Sequence, residues 1–246
     1  MLNYLIKRFF AKFGVIVRKE NPEWAFVPHS KTPEGIYQEL LKRYKINLIL
    51  DIGANTGYWA QNIKENGYTA RIISFEPQDS VYNQLFISSQ SDPKWQVMKV
   101  ALGDKNETSD FHLSQHNESS SLSEMLDTHQ DAFHGSCMTN EKIKVSVQTL
   151  DSLLPKLLQG EDSIFAKIDV QGFEKKVLNG ATESLKEIKM LQLEISFKKL
   201  YADDVLFQEM YDYLNDLDFK LIHITPGFKN EKTSELLQVD AIFVRV

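Results

Sequence analysis

From residue 46 to the C-terminus, short apolar runs alternate with segments in which apolar residues recur at helical spacing. Continuous apolar runs are typical of strands that are buried on both faces, and their alternation with helices is typical of a parallel sheet. The pattern therefore predicts an α/β domain over residues 46–246, with helices on both faces of the sheet. The predicted strands cover residues 47–51, 71–76, 96–102, 164–169, 190–195, 220–225 and 238–246.

Helical spacing of apolar residues predicts four helices between these strands. They cover residues 58–65, 79–89, 173–179 and 202–217, and Gly67 suits the left-handed position that closes the first of them.

A polar segment rich in Ser, His, Asn and Gln interrupts the alternation at residues 104–145. A loop of this length inside a compact domain is usually functional or disordered. Ser121 and Glu124 have the spacing of a capping box, which predicts a short helix here. We expect the segment to be an insertion that forms a lid over the substrate, followed by a strand-like stretch at residues 143–147.

The N-terminal 45 residues are predicted to be a helical extension of the domain. Residues 1–19 carry five basic and no acidic side chains, interleaved with aromatic and aliphatic ones. An amphipathic helix of this kind packs on the domain or on a second subunit, and the alternative is a peripheral contact with anionic lipid.

The charge and the cysteine content exclude several classes of protein. The chain has 28 Lys and Arg against 34 Asp and Glu, a net charge of −6, which disfavours a nucleic-acid partner. A single cysteine, Cys137, forms neither an intrachain disulfide nor a multi-thiolate zinc site, so we expect a reducing, cytoplasmic location. Charged residues interrupt every apolar run, so no transmembrane segment is predicted.

A glycine-rich loop, Asp51 to Gly57, follows the first predicted strand. It lacks the Lys-Ser/Thr pair of a P-loop, it departs from the dinucleotide glycine spacing, and Asp51 would repel a pyrophosphate. S-adenosylmethionine fits better, because it combines an ammonium group, a carboxylate and a nucleoside without phosphate. Asp51 would pair with the ammonium group, while Gly53 and Gly57 would let the backbone approach the ligand. Glu76, at the end of the second strand, would accept hydrogen bonds from the ribose hydroxyls.

Several segments of the chain together resemble the FkbM family of S-adenosylmethionine-dependent methyltransferases. They are residues 50–57 (LDIGANTG), 74–77 (SFEP), 100–104 (VALGD), 119–122 (SSSL), 167–174 (KIDVQGFE) and 237–245 (LQVDAIFVR). The resemblance implies a seven-stranded class I methyltransferase (Rossmann-like) sheet in the order 3-2-1-4-5-7-6, with the last strand antiparallel. It also implies an O-methyltransferase that acts on a hydroxyl of a sugar, a glycan or a related natural product.

The resemblance and the loop argument together give a set of expected cofactor-binding residues. These are Asp51, Gly53, Asn55, Gly57, Tyr58, Glu76, Pro77, Ala101, Leu102 and Asp169. The end of the third strand, Val100 to Leu102, would border the adenine. Tyr58 and Trp59 would either stack on the ligand or pack against neighbouring structure.

A sugar hydroxyl is a poor nucleophile until a base takes its proton, so a base is expected near the methyl group. Asp169, at the end of the fourth strand, is the first candidate for the base or for an anchor of the acceptor; alternatively, it caps a helix or holds the cofactor. Glu194 and His116 are the other catalytic candidates. The expected substrate-binding residues are Ser119, Ser120, Ser121, Gln171, Glu174 and Asp240.

Several alternatives remain open at this stage. A divalent metal held by Asp169, Glu194 and Asp240 is not favoured, since such acids also serve as caps and hydrogen-bond acceptors. The functional alternatives are an N-methyltransferase, a nicotinamide-dependent oxidoreductase and a non-catalytic cofactor-binding protein. The expected partner is a small-molecule or glycan acceptor, and a homo-oligomer is left open.

Overall fold

The computed structural model describes residues 15–20, 23–28, 32–132 and 138–246. The strands are β1 (Val15–Glu20), β2 (Glu23–Pro28), β3 (Leu48–Ile52), β4 (Arg71–Phe75), β5 (Trp95–Met98), β6 (Ala101–Leu102), β7 (Glu107–Ser114), β8 (Met138–Gln148), β9 (Ile164–Ile168), β10 (Ile188–Ser196), β11 (Phe219–Pro226) and β12 (Gln238–Arg245). The helices are α1 (Pro33–Arg43), α2 (Tyr58–Glu65), α3 (Asp79–Ser89), α4 (Asp127–Ala132), α5 (Leu150–Leu157), α6 (Glu174–Asn179), α7 (Ser184–Glu187) and α8 (Phe207–Asn215), with a 3₁₀ turn at Asn117–Ser119.

A seven-stranded sheet forms the centre of the domain, in the order β5-β4-β3-β9-β10-β12-β11. The strands β3, β4, β5, β9 and β10 are parallel, and β12 runs antiparallel to both of its neighbours. Counted along the chain within this sheet, the order is 3-2-1-4-5-7-6, which confirms the predicted class I methyltransferase topology. The order changes direction between β3 and β9, which is where open α/β sheets bind their ligands.

Apolar side chains cover both faces of the central strands. Ile49 and Phe165 belong to the cluster on one face, and Leu50 and Ala166 belong to the cluster on the other. All five residues of β3 and all five of β9 are buried. Successive side chains of a strand point to opposite faces, so a continuous apolar run is what a strand covered on both sides requires.

The third predicted strand, residues 96–102, is divided in the structure. Trp95–Met98 pairs with β4 in the large sheet, whereas Ala101–Leu102 pairs with β8 in a separate three-stranded sheet. The amide of Val100 donates to the carbonyl of Met98, and this tight turn directs the chain out of the large sheet.

The predicted insertion begins and ends in an antiparallel strand pair, β7 and β8, rather than forming a polar loop throughout. Asp110 and Lys144 lie opposite each other and form an ion pair of 2.8 Å. Polar side chains on the exposed face concealed the strand pattern, which explains the error. The helix expected at Ser121 is also absent, because the Ser121 hydroxyl bonds to the 170–171 backbone, and α4 begins only at Asp127.

In the described part of the predicted helical extension, the structure has one helix, α1, which Thr32 caps by accepting a hydrogen bond from the amide of Gly35. The two segments 15–20 and 23–28 form an antiparallel pair instead. Their β-branched and aromatic residues favour strands over helices, and this local preference explains the difference. The remaining basic residues of the 1–19 segment and Cys137 lie outside the described residues.

The four predicted helices are present, with one difference in length. Helix α8 begins at Phe207, after an extended Leu206, instead of at residue 202. Within the described residues, no helix is both long and apolar enough to cross a bilayer.

Candidate active site

A cleft of about 290 Å³ opens at the carboxyl ends of β3, β4 and β9. The loop after each of these strands contributes to its wall, and part of the β7–β8 region covers it. The residues that line it are Ile52 to Thr56, Tyr58, Trp59, Phe75 to Gln78, Val100 to Leu102, Phe111, Asn117, Glu118, Ser120, Leu122, Lys167, Asp169 to Gln171, Phe173 and Glu194.

Glu76 lies in this cleft with its carboxylate held by backbone amides. The amide of Asn55 donates to Oε2 at 3.0 Å, and the amide of Gln78 donates to Oε1 at 2.8 Å. Burial raises the pKa of Glu76 to about 7, although these two hydrogen bonds lower it. Each carboxylate oxygen retains a further lone pair, so Glu76 is able to accept two more hydrogen bonds from a ligand.

The glycines of the loop are required by the packing of the protein itself. Gly53 has a φ of +80°, and a Cβ there would lie 1.8 Å from the carbonyl oxygen of Asp169. Gly57 has a φ of +85°, and a Cβ there would lie 2.7 Å from Leu85 and 2.9 Å from Trp95. Gly57 does not line the cleft. The prediction that Gly57 lets the backbone approach a ligand is therefore corrected.

Asp51 is not in the cleft, which corrects the expectation that it meets the cofactor's ammonium group. Its side chain is 0% exposed. Oδ2 accepts a hydrogen bond of 3.1 Å from Ser74, and Lys167 Nζ lies 3.9 Å from Oδ1. Oδ1 has no hydrogen-bond partner within the described part of the chain. Burial raises the pKa of Asp51, so this carboxyl group belongs to the interior of the sheet and not to its edge.

Lys167 is a cleft residue that the sequence analysis missed as a site residue. It lies in β9 opposite Asp51 of β3, and its Nζ donates to Asp169 Oδ2 at 2.9 Å. Burial lowers the pKa of Lys167, but Asp169 and Asp51 raise it by more, so the net shift is upward. Lys167 therefore remains cationic and neutralises part of the charge of Asp169. A lysine inside an apolar strand pattern was the only signal in the sequence.

Gln171 connects two of the carboxylates that line the cleft, those of Asp169 and Glu194. Its Nε2 donates to Asp169 Oδ1 and to Glu194 Oε2, both at 2.8 Å. Its Oε1 accepts a hydrogen bond of 3.0 Å from the hydroxyl of Tyr201. Gln171 adopts a left-handed φ of 56°, which costs backbone energy in a residue with a side chain. The network thus fixes Gln171 in an orientation that its backbone alone disfavours.

Unlike Asp169, which also pairs with Lys167, Glu194 has only side-chain amides as hydrogen-bond partners among the described residues. Its Oε2 accepts hydrogen bonds from Gln171 and from Gln238, the latter at 3.2 Å. Burial raises the pKa of Glu194 well above its ordinary value, and Asp169 and Asp240 raise it further. A carboxylate in this environment is a stronger base than an exposed one.

Comparison with known proteins identifies the family. The Methyltransferase FkbM domain matches residues 51–221, which is more than half of the chain.

The chain belongs to the FkbM methyltransferase family.

Relatives and solved structures were also found for this FkbM methyltransferase. It is 26% identical to the 2-O-methyltransferase NoeI of Sinorhizobium fredii over 173 residues, which are 68% of this chain and 70% of that protein. An rRNA methylase from Streptococcus thermophilus matches with 10% identity and a TM-score of 0.48, covering 88% of this chain and 98% of that one. Magnesium protoporphyrin IX methyltransferase from Synechocystis matches with 9% identity and a TM-score of 0.46, covering 87% and 79%.

The FkbM methyltransferase is an enzyme that uses S-adenosylmethionine, and membership of this family contradicts the nicotinamide-dependent alternative. The cleft fits this cofactor. Glu76 offers a buried carboxylate with spare lone pairs for ribose hydroxyls, and Val100, Ala101 and Leu102 offer an apolar wall for the adenine. Tyr58 is 76% exposed at the rim.

Of the remaining residues that were predicted to form the site, some line this cleft and others do not. Asn55, Pro77 and Ser120 line it, whereas His116 and Ser119 line a neighbouring pocket.

Three residues expected to bind substrate have structural partners elsewhere. Ser121 is 1% exposed and bonds to the carbonyls of Val170 and Gln171. Glu174 Oε1 accepts from the amides of Val170 and Gly172, and burial raises the pKa of Glu174 to about 8. Asp240 accepts from Gln192. Their buried contacts leave none of the three among the cleft residues, which corrects the expectation.

A metal site was the remaining alternative. In the part of the chain that the structure describes, no three His, Cys, Asp or Glu side chains are arranged to hold a metal ion.

Proposed function

We propose that this enzyme is an O-methyltransferase whose acceptor is a hydroxyl of a sugar, a glycan or a related natural product. The observation that carries the proposal is the pair of carboxylates, Asp169 and Glu194, which Gln171 joins at the wall of the cleft. When bound, S-adenosylmethionine supplies a methyl group activated by a sulfonium centre. The protein's own contribution is then to orient the acceptor and to take its proton.

Glu194 is the better of the two candidates for the base. Asp169 is already engaged on both oxygens, by the ion pair with Lys167 and by the hydrogen bond from Gln171. Glu194 has no cationic partner among the ion pairs of the described residues, and its pKa is raised. Since Oε2 already accepts from Gln171 and Gln238, Oε1 is the atom that receives the acceptor's proton. Asp169 then acts as an anchor that holds Gln171.

The opposite end of the cleft holds the cofactor in this proposal. Glu76 accepts hydrogen bonds from the ribose hydroxyls, and Ala101 and Leu102 contact the adenine. The backbone of Gly53 borders the cleft, and its neighbours Asn55 and Tyr58 lead into α2, whose N-terminus suits the cofactor's carboxylate. The β7–β8 region, which supplies Phe111 and Ser120, takes the place of the expected lid.

The relative named a 2-O-methyltransferase supports an oxygen acceptor over a nitrogen one. A hydroxyl also requires a base within reach, and the cleft contains a carboxylate suited to that task.

The test is transfer of an isotopically labelled methyl group from S-adenosylmethionine into extracts of the source cells, with mass analysis of the labelled product. We expect the label on an oxygen of a hydroxyl-rich compound. The Glu194→Gln enzyme is the control, because it keeps the amide hydrogen bonds but lacks the base. Label on nitrogen would refute the proposal, as would equal labelling by the control.

A further inference from the structure

A second pocket, of about 260 Å³, adjoins the cleft. Glu118, Gln171 and Glu194 line both cavities, so the two cavities meet at these three residues. The second pocket extends from these shared residues towards the loop between β11 and β12, where Phe228 lies. A ligand in this pocket therefore reaches Glu194 at the place where the pocket meets the cleft.

Two stacked aromatic rings form one wall of the pocket. The rings of His129 and Phe228 have centroids 5.1 Å apart and an interplanar angle of 19°. His129 is 4% exposed, and burial lowers its pKa to about 4, so the ring behind Phe228 is uncharged at neutral pH. His129 also meets Tyr201 edge-on, with centroids 5.4 Å apart. The partly exposed Phe228 ring is thus fixed in place by neutral aromatic neighbours.

The rest of the pocket is polar and offers hydrogen bonds suited to hydroxyl groups. Gln238 donates to Glu194 and to Ser196, both at 3.2 Å, so its orientation is set by the protein. No Lys or Arg occurs among the described residues that line the pocket. A carboxylate on a ligand would lose part of its hydration beside Glu118 and Glu194 without gaining a Lys or Arg partner, which is costly.

An aromatic ring and fixed polar side chains in one pocket suit a molecule with one apolar and several hydroxylated sides. A pyranose ring has this character: its axial C–H bonds meet the negative face of an aromatic ring, and its hydroxyls point outward. We propose that the second pocket is the acceptor subsite and that it takes an uncharged pyranose ring stacked on Phe228, with one hydroxyl at Glu194. The inference rests on the proposed function and adds the location and charge of the acceptor.

The test measures binding of simple glycosides to the enzyme with S-adenosylhomocysteine bound, by saturation-transfer NMR. The probes are the methyl glycosides of glucose, galactose and mannose, with methyl glucuronoside as the anionic counterpart. We expect at least one neutral probe to bind, and the glucuronoside to bind on the order of tenfold more weakly than methyl glucoside. Phe228→Ala should weaken binding of the neutral probe by on the order of tenfold, and Phe228→Tyr should retain it.

Phe86→Ala is the matched control, since Phe86 is 47% exposed and lies on α3, outside both pockets. It should leave glycoside binding unchanged. Affinity for S-adenosylhomocysteine, measured by calorimetry, should be the same in all three variants, which separates loss of the subsite from loss of folding.

Three outcomes would overturn the proposed acceptor subsite, two of which compare variants or probes. One is unchanged glycoside binding in Phe228→Ala, and the other is a glucuronoside that binds as well as the neutral probes. Failure of every neutral glycoside to bind would overturn it as well. The labelling experiment is independent of these measurements. A methylated hydroxyl in that experiment would support O-methyl transfer even if the acceptor does not bind in the second pocket.

Discussion

The two ends of the cleft hold their carboxylates in different ways. At the proposed cofactor end, Glu76 is held by the amides of Asn55 and Gln78, which belong to the loops that follow β3 and β4. At the proposed acceptor end, Glu194 is held by the side chains of Gln171 and Gln238, from two separate segments. Backbone amides are provided by any sequence that forms the loop, whereas side-chain partners depend on packing across the whole domain.

Because of this difference, we expect the cofactor end to tolerate side-chain changes around Glu76, whereas the acceptor end is a coupled network. Tyr201 holds Gln171, and Gln171 holds both Asp169 and Glu194. Gly172 allows this contact, since a Cβ there would lie 2.3 Å from Tyr201. Four substitutions test the comparison.

The largest effect is expected from Gly53→Ala, which disrupts the contact between Gly53, at one end of the cleft, and Asp169, at the other. The added Cβ would collide with the carbonyl of Asp169 at a φ of +80°, so the free energy of unfolding should fall by about 3 kcal/mol or more. Gly160→Ala is the control: its φ is +70°, but no atom lies within 4 Å of the added Cβ, and it should cost about 1–2 kcal/mol. Urea denaturation measures both. Equal losses of stability in the two variants would show that the left-handed backbone conformation alone, and not the contact with Asp169, causes the effect.

The next effect concerns the acceptor end alone. Glu194→Gln should lower kcat by roughly 100-fold, since it removes the base but keeps the hydrogen bonds of the amide partners. The rate of the wild type should rise with pH through the raised pKa of Glu194, and the variant should lose this dependence. Affinity for S-adenosylhomocysteine should not change. If Asp169→Asn lowers kcat more than Glu194→Gln and alone abolishes the pH dependence, the two roles are exchanged.

A smaller effect is expected at the cofactor end. Glu76→Gln should weaken binding of S-adenosylhomocysteine by about 1.5–3 kcal/mol, the value of hydrogen bonds to a charged group. The pKa of Glu76 is raised to about 7, and the ionised form is the better acceptor. Wild-type affinity should therefore rise between pH 6 and 8, and that of the variant should not. Calorimetric titration measures both affinities. The control is Glu187→Gln, because Glu187 is exposed and lies on α7.

The smallest effect concerns Glu174, which caps the loop that carries Gln171. Its pKa is raised to about 8 in the folded protein, so the protonated form stabilises the fold and this contribution is lost as the pH rises through 8. Glu174→Gln should be more stable than the wild type at pH 9 by about 1–2 kcal/mol, and the difference should shrink towards pH 5. Urea denaturation at both pH values measures it. A difference that does not vary with pH would contradict the assignment.

Different parts of the molecule were predictable to different extents. The topology and the position of Glu76 follow from local patterns, namely buried apolar runs and an acid at a strand end. The β7–β8 pair was missed because ion pairs such as Asp110–Lys144 occupy its exposed face. Asp51 was misassigned, because the sequence shows that it ends an apolar run but not that Ser74 and Lys167 flank it inside the sheet.

By itself, the sequence determined the seven-stranded sheet and the family of the enzyme, because these depend on residues close together along the chain. Only the tertiary structure decided which acids share a cavity, that Gln171 lines two adjoining pockets and where Phe228 lies. Those relations join segments that are distant in sequence, and their burial sets the pKa values on which the chemistry depends.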